Sequence, residues 1–126
     1  MKRQHIFAVN GSPDFLDLIR LLFQEEDFNV TTTNFVPDTF EQITAAKPDL
    51  LLVDLVVGQE AGLELLEHLG TGHATQRIPL IVTSTSQRLL DEVQIDPDRY
   101  RGQGFLSKPF DLDDLLAMVA ALVGPA

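Results

Sequence analysis

Short apolar segments alternate with amphipathic segments along the whole chain. The apolar segments predict five β-strands, at residues 6–9, 28–33, 50–54, 79–83 and 104–107. Each is short and bounded by polar residues, glycine or proline, as buried strands are. The second is the least apolar and contains three consecutive threonines, so we expect it at an edge of the sheet.

The segments between these strands predict helices, because their apolar residues recur every three or four positions. Ser12 is the expected N-cap of the first helix and Pro13 its first residue. The remaining helices are predicted at about residues 37–47, 60–69 and 88–94, and after Asp111 as far as Gly124 and Pro125. The predicted core-facing residues are Phe15, Leu18, Ile19, Leu22, Phe23, Phe40, Ile43, Leu63, Leu65, Leu66, Leu69, Leu89, Leu90, Val93, Leu112, Leu115, Leu116, Val119, Ala120 and Val123.

Five strand–helix units in succession predict an α/β fold with a parallel sheet between two layers of helices. Right-handed crossovers and short connections favour the flavodoxin-like strand order 2-1-3-4-5. A length of 126 residues corresponds to one domain, and we expect that domain to span residues 1–126.

Composition and charge narrow the possible functions. The chain has no cysteine, no leader segment and no apolar run of membrane-spanning length, so we expect a cytoplasmic protein without membrane contact. The formal net charge is −10, which would repel a phosphate backbone and argues against direct nucleic-acid binding. The acidity fits either a solvated surface or a docking face for a basic partner.

Three predicted strands end in residues that carry reactive or polar groups. Asp54 ends the third strand, Thr83 ends the fourth, and Lys108 follows the fifth. Because open parallel sheets place their functional groups at the carboxyl ends of the strands, we expect these three side chains to converge. The alternative for Asp54 taken alone is a turn-capping aspartate.

The chain resembles the receiver domains of two-component response regulators over its whole length. The resemblance rests on PDLLLVD at residues 48–54, GLELL at 62–66, IVTS at 81–84 and FLSKPF at 105–110. It implies that Asp54 accepts a phosphoryl group from a histidine kinase or phosphotransfer protein. It also implies that Lys108 and Thr83 contact this group, that Phe105 is the switch aromatic residue, and that the peptide bond after Lys108 is cis.

The resemblance further implies an output surface formed by the fourth helix, the fifth strand and the last helix. Receivers dimerise or contact an effector domain or a partner protein through this surface. We therefore expect a signalling module and not an enzyme.

Physical chemistry supports these roles independently of the resemblance. Phosphoryl transfer spreads charge over three equatorial oxygens, and its catalysis is mostly positioning and charge neutralisation. Asp54 would be the nucleophile, Lys108 a compact positive charge, and Thr83 a hydrogen-bond donor.

The expected metal site departs from the family pattern. Receivers usually carry two acidic residues after the first strand, and Asn10 and Gly11 stand at those positions. Any Mg²⁺ would be bound weakly by Asp54, the side-chain oxygen of Asn10 and the carbonyl of Val56. If the metal contributes about 3 kcal/mol, its loss slows transfer roughly 10²-fold.

Two hypotheses therefore remain from the sequence. The first is a phosphorylatable receiver, and the second is a pseudo-receiver that acts by protein contact without chemistry at Asp54. A phosphoaspartyl hydrolase of the haloacid dehalogenase type would need an aspartate where Val56 stands. A flavodoxin-like flavin carrier would need a longer phosphate loop after the first strand, and the chain has no tryptophan to stack on a flavin.

Overall fold

A computed structural model describes residues 3–34, 38–100 and 102–123. Within these residues, a five-stranded parallel sheet in the order β2-β1-β3-β4-β5 is flanked by five helices. The elements in chain order are β1 (His5–Val9), α1 (Pro13–Glu25), β2 (Asn29–Thr33), α2 (Thr39–Ala46), β3 (Leu50–Leu55), α3 (Ala61–Thr71), β4 (Leu80–Ser84), α4 (Gln87–Gln94), β5 (Gly104–Ser107) and α5 (Leu112–Val123). The predicted fold class and strand order are confirmed.

The sheet has a separate apolar core on each face. Side chains alternate along a strand, so Ile6 and Ala8 of β1 enter the core beneath α1 and α5, whereas Phe7 and Val9 enter the core beneath α2, α3 and α4. All six residues of β3 are buried. Central parallel strands are covered on both sides, which explains the continuous apolar run before Asp54.

Strand β2 lies at an edge of the sheet and pairs with β1 alone among the described strands. None of its five residues is buried, and its place in the sheet confirms the edge position expected from its threonines. Phe28 is buried immediately before the strand and packs edge-on against Phe23 of α1.

The predicted core faces of α1 and α5 were wrong at two positions. Leu18 is 45% exposed, and Leu16 is buried in its place. Ile19 and Phe23 lie at the centre of the buried face, and Leu16 precedes Ile19 by three residues, whereas Leu18 is turned about 100° away from it. Ala120 is exposed for the same reason, since it lies about 140° around α5 from buried Leu115.

The ends of the helices largely follow the predicted signals. Ser12 caps α1, its Oγ accepting a hydrogen bond from Phe15 N, and Pro13 is the first helical residue. The α5 helix begins directly after Asp111. Residues 37, 124 and 125, where helix boundaries were also predicted, lie outside the described residues.

Strand register brings the ends of four strands to one edge of the sheet. Val9 of β1 is opposite Val53 of β3, and Asp54 is opposite Thr83 of β4. Ser84 is in turn opposite Ser107 of β5, the residue before Lys108. No helix among the described residues has the length and apolar character needed to cross a membrane.

Candidate phosphoacceptor site

Asp54, Thr83 and Lys108 meet at the carboxyl edge of the sheet. Thr83 Oγ1 donates a hydrogen bond of 2.8 Å to Asp54 Oδ1. Lys108 Nζ lies 2.9 Å from the same oxygen. Thr83 is fully buried, and the Asp54 side chain is only 8% exposed. The structure thus brings together the three side chains that the sequence placed at strand ends.

The two oxygens of Asp54 differ in their surroundings. Both contacts just described are made to Oδ1. No hydrogen bond from the part of the chain that the structure describes reaches Oδ2. The carboxylate is therefore oriented through one oxygen, while the other is not engaged by these neighbours and can act as a nucleophile.

The Lys108 ammonium also lies over an aromatic ring. Its Nζ is 4.4 Å from the centroid of the Phe15 ring, which in turn packs edge-on against Phe110. Lys108 N donates a hydrogen bond of 2.7 Å to Ser84 O, and the peptide bond to Pro109 is cis, as the resemblance implies. Sequence reasoning assigned Phe15 only to the core. Its position in the first turn of the helix after β1 was the signal that it could reach this edge.

Ser84 is a second residue whose contribution the sequence analysis did not identify. Its side chain is fully buried beside Thr83. Its Oγ donates a hydrogen bond of 2.7 Å to Leu55 O and accepts one of 3.0 Å from Ser86 N. One hydroxyl thus connects the end of β3 to the N-cap residue of α4.

Phe105, the predicted switch residue, is not part of the cluster around Asp54. It is half-buried and packs on the core beneath α2, α3 and α4. A Cβ added at Gly102 would lie 2.7 Å from Phe105 Cζ and 3.4 Å from a methyl group of Val82. The ring therefore lies closely against the Gly102 backbone.

The residues present fit Mg²⁺ poorly. Asn10 Oδ1 accepts a hydrogen bond of 2.8 Å from Ser12 N, and Val56 O accepts one of 3.1 Å from Gln59 N. Among the described residues, no group of three His, Cys, Asp or Glu side chains could hold a metal ion. Asp54 is thus the single carboxylate of the predicted set, and one of its oxygens is already paired, whereas Mg²⁺ demands near-ideal octahedral oxygen ligation.

Comparison with known proteins identifies the family. Residues 6–120 match the response regulator receiver domain. The chain belongs to this family.

Relatives of this receiver include the response regulator ArlR of Staphylococcus aureus. The two are 25% identical over 119 residues, which are 94% of this chain and 52% of ArlR. The chain therefore spans about half the length of the curated relatives that it matches.

Solved structures give the same assignment of the fold. The Vibrio cholerae chemotaxis protein CheY4 superimposes with a TM-score of 0.80 at 18% identity, covering 96% of this chain and 99% of CheY4. The N-terminal domain of the nisin resistance regulator NsrR has a TM-score of 0.80 at 27% identity, covering 97% of this chain and 99% of that domain.

Proposed function

We propose that this receiver accepts a phosphoryl group on Asp54 from a histidine kinase or phosphotransfer protein. The observation that carries the proposal is that Lys108 Nζ and Thr83 Oγ1 both lie within 2.9 Å of Asp54 Oδ1. These contacts orient the carboxylate. They also hold a cation and a hydroxyl donor close to the position that a phosphoryl group on Oδ2 would occupy.

In the transfer step, Asp54 Oδ2 attacks the phosphorus of a phosphohistidine. The new O–P bond forms as the P–N bond breaks, and the imidazole leaves with the bonding electron pair. Lys108 neutralises charge on one equatorial oxygen of the phosphoryl group, and the Thr83 hydroxyl donates to another. Both groups must then turn from Oδ1 toward the phosphoryl oxygens, and this local change is the start of the signal.

The signal would leave the domain through the face formed by α4, β5 and α5. Phe105 of β5 supports this route because its ring packs against Gly102 and the core beneath α4, so it can respond to changes in β4 only by repacking. An effector domain, a partner protein or a second copy of the receiver would bind this face. The domain acts as a cytoplasmic signalling module and not as an enzyme, and its net charge of −10 disfavours direct contact with nucleic acid.

A pseudo-receiver is the second candidate, and two specific observations favour it. The possible ligand oxygens of Asn10 and Val56 already accept backbone hydrogen bonds, and Lys108 already pairs with the Asp54 carboxylate. In this function the three residues would stabilise one conformation, and the domain would signal through protein contact alone.

Phosphorylation of the intact protein separates the two candidates. The protein is incubated with a small phosphodonor and millimolar Mg²⁺, and intact mass spectrometry then measures an added phosphoryl group. Labelling that Asp54→Asn abolishes supports the phosphoacceptor. No labelling after prolonged incubation supports the pseudo-receiver.

A Mg²⁺ titration tests whether the site lies where we place it. Acidic residues introduced by Asn10→Asp and Gly11→Asp should tighten Mg²⁺ binding and speed labelling, by roughly 10²-fold if the metal contributes about 3 kcal/mol. Unchanged Mg²⁺ affinity in the double variant would show that the metal position has been misassigned.

A further inference from the structure

The structure does not require glycine at position 11, in the Asn10–Gly11 dipeptide that follows β1. A Cβ added at Gly11 would meet no heavy atom within 4 Å, and its φ lies outside the left-handed region that favours glycine. Gly58, by contrast, has a φ of +81°. The fold would therefore accept a side chain at position 11.

We propose that Asn10 is a site of spontaneous deamidation, and that its aspartate product supplies a second carboxylate beside Asp54. The Gly11 peptide nitrogen loses its proton and attacks Asn10 Cγ, forming an N–Cγ bond. The Cγ–Nδ2 bond then breaks and ammonia leaves, which closes a succinimide ring. Water opens this ring at either carbonyl, giving aspartate or isoaspartate at position 10. No oxidant, reductant or further reactant is required.

The local structure favours ring closure at Asn10. Gly11 is exposed and lacks a Cβ that would hinder its nitrogen as a nucleophile. The hydrogen bond of 2.8 Å from Ser12 N to Asn10 Oδ1 spans Gly11 and so keeps the side-chain amide of Asn10 close to the Gly11 peptide. The same N–H would stabilise negative charge that develops on Oδ1 during the attack, as donors in an oxyanion hole do.

The position of Asn10 gives the modification its consequence. Val9 is opposite Val53 in the parallel register, so Asn10 follows β1 at the level at which Asp54 stands in β3. Asn10 is 4% exposed and Asp54 is 6% exposed. An aspartate at position 10 would place a second carboxylate at this edge, and carboxylate pairs are suitable ligands for Mg²⁺. This consequence depends on the position of Asn10 and is independent of phosphorylation.

Peptide mass spectrometry of aged protein tests the modification. The purified full chain is kept at physiological temperature for days and digested, and the conversion of each asparagine is followed over time. Asn29, which is exposed and precedes the β-branched Val30, is the internal control. We expect conversion at Asn10 first, and at least several-fold slower conversion in Gly11→Ala. Asn10 that remains an amide while Asn29 converts, or a Gly11→Ala rate equal to that of the wild type, would overturn the proposal.

Calorimetric Mg²⁺ titration of Asn10→Asp, which represents the aspartate product, tests the consequence. We expect roughly tenfold tighter binding than in the wild type, because a second carboxylate adds charge close to the ion. The gain should be lost in Asn10→Asp combined with Asp54→Asn. Equal Mg²⁺ affinities of Asn10→Asp and the wild type would refute the claim that position 10 supplies a second metal-binding carboxylate, even if Asp54 is phosphorylated. A higher Mg²⁺ affinity of Asn10→Asp would support this claim even if Asp54 is not phosphorylated. Isoaspartate as the sole product of ageing would also contradict it.

Discussion

The Lys108 ammonium contacts the ring of Phe15 and the carboxylate of Asp54 at once, with its Nζ 4.4 Å from the ring centroid and 2.9 Å from Oδ1. The Lys108 side chain is 21% exposed, so neither attraction acts in bulk water. The negative face of the ring and the carboxylate together hold the cation at the edge of the sheet where phosphoryl transfer is proposed.

Replacing Phe15 by leucine should weaken this arrangement while keeping an apolar side chain in the first turn of α1. We expect the coupling between Phe15 and Lys108 to be about 1 kcal/mol, which lies between values for exposed and desolvated cation–π pairs. A double-mutant cycle of Phe15→Leu with Lys108→Met, measured by urea unfolding, gives this coupling. Phe15→Trp, which retains an aromatic face, is the control. Fully additive effects of the two changes would show that the ring does not stabilise the ammonium.

Replacing Thr83 by valine should reduce stability, because it removes a hydroxyl from a buried carboxylate and changes the side-chain shape little. We expect a loss of about 1–2 kcal/mol in the free energy of unfolding. Chemical denaturation of Thr83→Val measures it. The same change in an Asp54→Ala background is the control, because the hydroxyl has then lost its acceptor and its removal should be neutral or favourable. An equal loss in both backgrounds would exclude the hydrogen bond as the cause.

Gly58 and Gly11 offer a matched pair for testing backbone conformation. Neither would bring a Cβ within 4 Å of another heavy atom, but Gly58 alone of the two has a left-handed φ. We expect Gly58→Ala to cost about 1–2 kcal/mol and Gly58→Asn to cost less. Gly11→Ala should be neutral or stabilising by about 0.4–1 kcal/mol. Thermal unfolding of the three variants provides the comparison. Equal effects of alanine at both positions would refute the role of the left-handed φ at Gly58.

We expect the protein to lose stability in alkaline solution because Tyr100 is buried. Burial raises the pKa of its hydroxyl, although the positive charge of Arg99 opposes the shift. The folded protein then keeps the proton at a pH where the unfolded chain releases it. This contribution is complete below the unfolded pKa of about 10 and disappears as pH rises through the folded pKa.

Tyr100 is the only tyrosine and the chain has no tryptophan, so tyrosinate absorbance reports this residue alone. We expect the absorbance of the folded protein to rise at higher pH than that of the urea-unfolded protein. Unfolding free energies above pH 10 should fall less steeply in Tyr100→Phe than in the wild type. Identical titration curves for folded and unfolded protein would contradict the prediction.

The sheet and the cluster of charged and polar groups could be predicted because both follow from order along the chain. Each central strand is a short continuous apolar run, and strand ends in a parallel sheet share one edge. Those two facts are sufficient to predict that Asp54, Thr83 and Lys108 lie together.

The remaining details depend on rotation and direction, which order along the chain does not determine. Leu16 and Leu18 are both apolar, and only the packed helix shows which of them faces the sheet. The sequence identifies the oxygens of Asn10 and Val56 as possible ligands. It does not show that Ser12 N and Gln59 N already donate hydrogen bonds to these oxygens. Local side-chain–backbone hydrogen bonds of this kind depend on the turn that the chain adopts after each strand.

The Ser84 hydroxyl joins two segments that a parallel sheet would otherwise leave separate. Leu55 directly follows Asp54, and Ser86 directly precedes the first turn of α4. If the Leu55 carbonyl moves, the buried Ser84 hydroxyl must follow it or lose its acceptor, and a buried donor without an acceptor is costly. Ser86 N, which donates to the same hydroxyl, would then have to follow Ser84. Two hydrogen bonds thus couple the position of the residue after Asp54 to the position of the α4 N-cap, so a displacement of either is expected to displace the other.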